Sequence, residues 1–393
     1  MRILFCSFHP VFTGTGGAEK VFWSMADHFA SIGDEVLCLG FERKADPLAP
    51  TFHPHGALVK VANPGRYYRK SPLIQLASAL VFFNSGWRRR LRDSLEGRRK
   101  GRLIMEAADG FKPDAIVAFQ PEMTYVLRHS IKTDVPIATA LHCDIDTLLK
   151  GKERLFPALE SSEAIVVLQR SYLADLARYI DASKAVFIPN AIPRQNGCCD
   201  QHSRVIVMAG RVCPQKNQLL AIRAFAIFSK SHPGWKLRIF GDCSYDKGYY
   251  EQCVGEACTL QVEDQIEFMG VTQKMRGELL KCSIFAFPSI FEGFSLALAE
   301  AMALGMPCAC LKTCTGLADM VENGRNGMLS EPTPEAYSKI LSTLADDPAM
   351  RSQIGSEARK SMEEYSPERI WGKWEGLLLS IARKAERHGS SEL

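Results

Sequence analysis

Two successive rounds of short apolar strands alternating with helical patterns predict an α/β protein made of two parallel-sheet domains. Three observations carry this expectation. Strand and helix patterns alternate from residue 2 onward. They restart at residue 204, after a stretch holding Pro189, Pro193, Gly197 and several polar residues. A chain of 393 residues is also long enough for two cores. With 46% hydrophobic and 23% charged residues, the composition is that of an ordinary globular protein rather than a fibrous or disordered one.

In order, residues 2–8 read as a buried strand, 18–32 as a helix closed by Gly33, and 35–40 as the next strand. Short apolar runs at 114–119, 137–141, 164–168 and 185–188 continue the first sheet. In the second round, 204–208, 236–240, 265–269, 283–288 and 307–310 read as strands. Residues 217–231, 249–259, 296–304 and 334–346 read as helices. The reading gives domains of 1–195 and 196–366, with a last helix over 367–387 packing back on the first domain. Two such Rossmann-like domains facing across a cleft would place a ligand at the C-terminal ends of their strands.

The net charge of +4 does not by itself call for a nucleic-acid partner, and no nucleic-acid-binding module is present, so none is expected. One segment is strongly basic: Arg66, Arg69, Lys70, Arg88, Arg89, Arg90, Arg92, Arg98, Arg99, Lys100 and Arg102 face only Asp93 and Glu96. With Phe82, Phe83 and Trp87 nearby, its stretch from Arg88 to Arg102 suits an anionic membrane surface as well as a solvated helix face. No secretory pattern follows Met1, and no apolar run reaches the roughly 18–20 residues of a membrane span. The expected location is cytoplasmic, with peripheral contact at the inner membrane face. The 13 cysteines include no C-x-x-C pair. Cys308, Cys310 and Cys314 lack a fourth ligand, so they read as thiols of a reducing compartment, and no metal is expected.

Gly16 and Gly17, with Gly14 and Thr15 before them, open the first helix and let backbone amides approach an anion. A dinucleotide fingerprint ending at Glu42 fails, because there is no G-x-G-x-x-G and the loop from His9 is too long. The most informative stretch is 288–305. Its helix is apolar on nearly every face, and Glu300 is the one charge inside it. A buried carboxylate needs hydrogen-bond donors, which ligand hydroxyls supply. Glu292 precedes the helix. On one helix the two carboxylates would lie roughly 12 Å apart, beyond the roughly 5–10 Å of a glycosidase pair, so they take different jobs. Ser295 and Leu296 offer amides at the helix tip. Arg211 and Lys216 leave the first strand of the second domain and complete a diphosphate clamp. His142, after the strand at 137–141, is a candidate for orienting a ligand or passing a proton.

These motifs resemble the retaining glycosyltransferases of family 4, of GT-B fold. The likeness is carried by residues 210–216, by Glu292 and Glu300, by Asn323-Gly324-Arg325-Asn326-Gly327, by Gly16-Gly17-Ala18-Glu19 and by Ile188-Pro189-Asn190. The resemblance implies that Arg211 and Lys216 hold a donor diphosphate, Glu300 the ribose hydroxyls and Glu292 the transferred sugar. It further implies that Gly17 approaches phosphate or acceptor and that His142 lies beside the sugar. Asn217 and Ser295 stand where glycine is usual, as do Ala191 and Cys243. The expected reaction moves a sugar from a nucleotide diphosphate, UDP-hexose or UDP-N-acetylhexosamine, to a glycan or lipid-linked acceptor, with no cofactor. A nucleotide-sugar epimerase of the same fold and a non-catalytic nucleotide-sugar-binding protein are the alternatives.

Overall fold

The protein is described by a computed structural model covering residues 1–8, 11, 16–41, 58–62, 72 and 85–390. Gly14, Thr15, Glu42, Arg66, Arg69, Lys70, Phe82 and Phe83 fall outside the described residues. The chain divides into two compact units, Met1–Pro189 with Ile370–Leu393, and Asn190–Arg369.

Among the described residues of the first unit, seven strands form one sheet in the order β3-β2-β1-β4-β5-β6-β7. They are β1 (Arg2–Cys6), β2 (Glu35–Phe41), β3 (Leu58–Ala62), β4 (Ala115–Ala118), β5 (Ile137–Leu141), β6 (Ala164–Val167) and β7 (Ala185–Phe187). Every pairing is parallel. A parallel sheet covered on both faces favours continuous apolar runs, and β4, β5 and β6 are buried at every position. Phe5 of β1 meets Phe22 of the helix Gly17–Ser31 at 6.2 Å, and Phe22 meets Phe119 at 4.8 Å. This aromatic cluster seats the end of β4.

The helix Pro367–Ser390 belongs to this unit from Ile370 onward. Trp371 stacks on His28 at 5.5 Å, and Glu375 accepts from the same imidazole at 2.8 Å. The stretch of the basic segment from Arg88 to Arg102 lies on the helix Ser85–Ala107. There Arg98 and Arg102 are exposed, Arg99 donates to Glu96 at 3.3 Å, and Lys100 lies over the Phe8 ring at 4.9 Å. Burial pulls the Lys100 ammonium below its usual range.

In the second unit β8 (Val205–Ala209), β9 (Lys236–Phe240), β10 (Ile266–Gly270), β11 (Ile284–Phe287), β12 (Cys308–Leu311) and β13 (Met328–Ser330) form a parallel sheet in the order β10-β9-β8-β11-β12-β13. The chain runs outward from β8 through β9 to β10, then crosses back to β11 on the other side of β8. The strand order therefore reverses between β8 and β11, which opens a crevice at their C-terminal ends.

The segment 190–200 is held by the second unit. Ile192 donates to the Tyr365 carbonyl at 2.8 Å, Cys199 to that of Leu304 at 3.0 Å and Asp200 to that of Leu280 at 3.0 Å. The division accordingly falls after Pro189. Cys308 and Cys310 are fully buried, and burial raises both thiols well above their ordinary range. They pack as neutral side chains. Among the described residues no group of three His, Cys, Asp or Glu side chains could hold a metal ion. No described helix is long and apolar enough to cross a membrane.

Candidate active site

In the second unit, the loop leaving β8 and the loop leaving β11 meet at the reversal point. Met208, Gly210, Lys216, Phe287, Pro288 and Ser289 line a small recess there. Gly210 lies close against the lysine: a Cβ at that position would stand 3.1 Å from Lys216 Cε. A short 3-10 turn, Pro214–Lys216, precedes Asn217, whose backbone is left-handed (φ 56°, ψ 45°). Asparagine tolerates that conformation better than most non-glycine residues. The helix Gln218–Phe228 follows.

Two glutamines, neither singled out by the sequence reading, fix these loops. Buried Gln218 donates from Nε2 to the Arg211 carbonyl at 2.9 Å and accepts from the Cys213 amide at 3.3 Å. Gln215 donates to the Phe291 carbonyl at 2.9 Å, and its own carbonyl accepts from the Ile290 amide at 2.9 Å. On the far side, the Glu292 amide donates to the Thr315 carbonyl at 3.1 Å. Backbone and side-chain bonds thus bring two loops distant in sequence to one place.

The result is an ion pair. Lys216 Nζ lies 2.5 Å from Glu292 Oε1, with side-chain exposures of 14% and 8%, and 5.7 Å from the Phe287 ring centroid. Charges this deep are stable only when paired, and removing one partner strands the other. Ser295, buried in extended conformation, caps the helix Leu296–Ala303, and its hydroxyl accepts from the Leu298 amide at 3.4 Å. The first amides of a helix have no intrahelical acceptor, so those of Leu296 and Ala297 remain at the tip for an anion. Glu300 lies further along the helix, half-buried rather than enclosed as its apolar neighbours suggest. Arg211 is exposed on the same loop as Lys216, with its guanidinium carbon 4.6 Å from the centroid of the Tyr245 ring.

The Asn323–Gly327 motif has a structural job. Asn326 donates to the Met320 carbonyl at 3.0 Å and the Ser361 hydroxyl at 3.1 Å, and accepts from the Glu322 amide at 2.7 Å. Asn323 accepts from the Leu329 amide at 2.8 Å. These bonds close a tight loop that feeds β13.

In the first unit, Gly16 caps the helix Gly17–Ser31 in extended conformation. The Glu19 carboxylate sits so close that a Cβ on Gly16 would overlap it. An anion approaching these amides therefore meets a carboxylate already in the first turn. His142 follows β5 and stacks on Phe119, with centroids 4.7 Å apart and planes 8° apart. Its two ring nitrogens are buried and have no hydrogen-bond partner among the described residues. Burial lowers its pKa to about 4. At neutral pH the ring is uncharged, with one donor and one acceptor nitrogen. That suits hydrogen bonding to hydroxyls better than holding a proton.

Residues 194–361 match the family model described as Glycosyl transferases group 1. An exopolysaccharide phosphotransferase of Streptomyces coelicolor is 32% identical over 210 residues, 52% of this chain and 22% of that one. An uncharacterized glycosyltransferase of Haemophilus influenzae is 28% identical over 191 residues, 48% of this chain and 53% of that one. The chain thus spans about half or less of the length of these curated relatives. Among solved structures, S. aureus TarM in complex with fondaparinux, alpha-GlcNAc-glycerol and UDP superposes with a TM-score of 0.75 at 13% identity, covering 96% of this chain and 100% of that one. The fold is GT-B. The family match falls within the second unit, Asn190–Arg369.

Proposed function

We propose that the chain is a retaining glycosyltransferase of family 4 that moves a hexose or N-acetylhexosamine from a UDP-sugar to a glycan or lipid-linked acceptor in polysaccharide or glycoconjugate synthesis. The observation that carries this reading is Lys216 held against Glu292 at the β8–β11 reversal, beside the tip of the helix Leu296–Ala303. In this reading Arg211, Lys216 and the amides of Leu296 and Ala297 face the diphosphate, which gains negative charge as the sugar departs. Fixed positive groups aimed at developing charge are the largest single source of rate in such sites. Glu292 contacts the transferred sugar, Glu300 the ribose hydroxyls, and neutral His142 orients a sugar hydroxyl. No metal takes part. UDP is preferred because the S. aureus structure carries it, and a polysaccharide acceptor agrees with the S. coelicolor relative. Arg98 and Arg102, exposed on the basic helix, are the groups offered to an anionic membrane surface at the cytoplasmic face.

The test is a nucleotide-sugar screen by thermal shift, followed by nucleotide release with and without acceptor. A ligand that binds the folded state raises its apparent stability by mass action. Stabilisation by a UDP-sugar, with slow UDP release accelerated by an acceptor glycan, supports the reading. Stabilisation by none of the donors, or sugar release indifferent to acceptor, contradicts it.

A further inference from the structure

We propose that Tyr245 is a positioning residue for Arg211, presenting its guanidinium to the donor diphosphate. The inference rests on the function proposed above. Tyr245 is 56% exposed, and one face of its ring lies within reach of the loop that carries Arg211. Arg211 uses it, with the guanidinium carbon 4.6 Å from the ring centroid.

The segment carrying the ring is pinned on both sides. Before it, Asp242 Oδ1 accepts from the Ser244 amide at 2.8 Å and the Ser244 hydroxyl at 2.7 Å. These bonds hold the Asp242 carboxyl below its usual range. After it, Asp246 caps the helix Lys247–Thr259 by accepting from the Tyr249 amide at 3.0 Å.

The same segment is also joined to the Arg211 loop. The Val212 amide donates to the Asp242 carbonyl at 3.2 Å, and the Gly210 amide to the Phe240 carbonyl at 2.9 Å. Gly241 packs so tightly on Gly210 that a Cβ there would overlap the Gly210 carbonyl oxygen. Ring and guanidinium are therefore mounted on two loops that are hydrogen-bonded and closely packed together.

A guanidinium laid on an aromatic face keeps its N–H groups in plane and free at the edge, the geometry that pairs with phosphate oxygens. Without the ring, the exposed Arg211 side chain must lose rotamer freedom on binding. Tyr245 supplies that order beforehand.

The experiment is calorimetric titration of UDP into the full-length wild type, Tyr245→Ala, Tyr245→Phe, Arg211→Ala and the Tyr245→Ala/Arg211→Ala double variant, with thermal unfolding of each. Exposed cation–π contacts correspond to roughly 2- to 5-fold in affinity. The expected result is a loss of about that size in Tyr245→Ala, rescue in Tyr245→Phe, and no further loss when Tyr245→Ala is added to Arg211→Ala. Unfolding temperatures should be unchanged. Losses that multiply in the double variant would assign Tyr245 a contact of its own with the nucleotide and overturn the inference. So would wild-type affinity in Tyr245→Ala, or a Tyr245→Phe variant as weak as alanine. Failure of the wild type to bind UDP would instead overturn the proposed function, and this inference with it.

Discussion

The strand-end rims of the two units follow opposite electrostatic plans. In the second, charged groups already meet partners: Lys216 pairs with Glu292 and Arg211 lies on Tyr245. In the first, His142 is uncharged, and neither ring nitrogen has a partner among the described residues. A ligand at Lys216 must rearrange an existing ion pair, so binding there is a competition between anions. A ligand at His142 only fills hydrogen bonds left open, at buried groups where each unmade bond costs about 1–3 kcal/mol. The second rim is thus suited to a strong anion such as a diphosphate, and the first to neutral hydroxyls.

That contrast can be broken most forcefully at the ion pair. Glu292→Ala, which strands Lys216, should cost about 3–5 kcal/mol in urea unfolding. The Lys216→Met/Glu292→Leu double variant should recover most of that loss. If the double variant is as unstable as Glu292→Ala, stranding of the charge is not the cause. Next comes catalysis. Lys216→Ala should lower turnover about 10²- to 10³-fold at saturating donor, as loss of a group facing developing charge does elsewhere. Unchanged turnover would remove Lys216 from the clamp.

The first rim is tested by pH. His142 has a pKa of about 4 in the folded chain against 6.5 unfolded. Between those values the unfolded chain binds more protons, so stability falls as pH drops from about 6.5 to about 4. The loss approaches about 3 kcal/mol. His142→Phe should flatten that stretch of the stability profile, and an unaltered slope would place its origin elsewhere. The smallest effect concerns Asn217. Asn217→Gly should change stability by less than about 1 kcal/mol, because glycine takes its left-handed backbone freely. Asn217→Val should cost about 1–2 kcal/mol, and equal behaviour of the two would mean that the backbone there is not held left-handed in solution.

Much of the scaffold could be read from pattern alone. The strands at 137–141 and 236–240 and the helix at 334–346 match β5, β9 and Pro334–Asp346 residue for residue, because a buried run, an alternating polar–apolar strand and a proline-led amphipathic helix are strong signals. β13 has three residues, too few for any period. The helix Pro348–Ser361 was hidden by its polarity, since buried Arg351 serves it by donating to the Leu344 and Ala345 carbonyls, both at 2.7 Å, at the end of the preceding helix. At the site, residue types were legible and contacts were not. Lys216 and Glu292 stand 76 positions apart; Gln215 and Thr315 join their loops through main-chain carbonyls that every residue possesses. The neutrality of His142 follows from burial beside Phe119, on which its ring stacks, a contact between neighbouring strand ends that no local pattern announces.

In the proposed function, the β8–β11 reversal binds a nucleotide diphosphate through Lys216. Calorimetric titration of UDP into the wild type and into the Lys216→Met/Glu292→Leu double variant tests it most directly, because the variant keeps the packing while removing both charges. Measurable binding by the wild type, weakened at least about 10-fold in the variant, is the predicted result. Equal dissociation constants for the two proteins would contradict it.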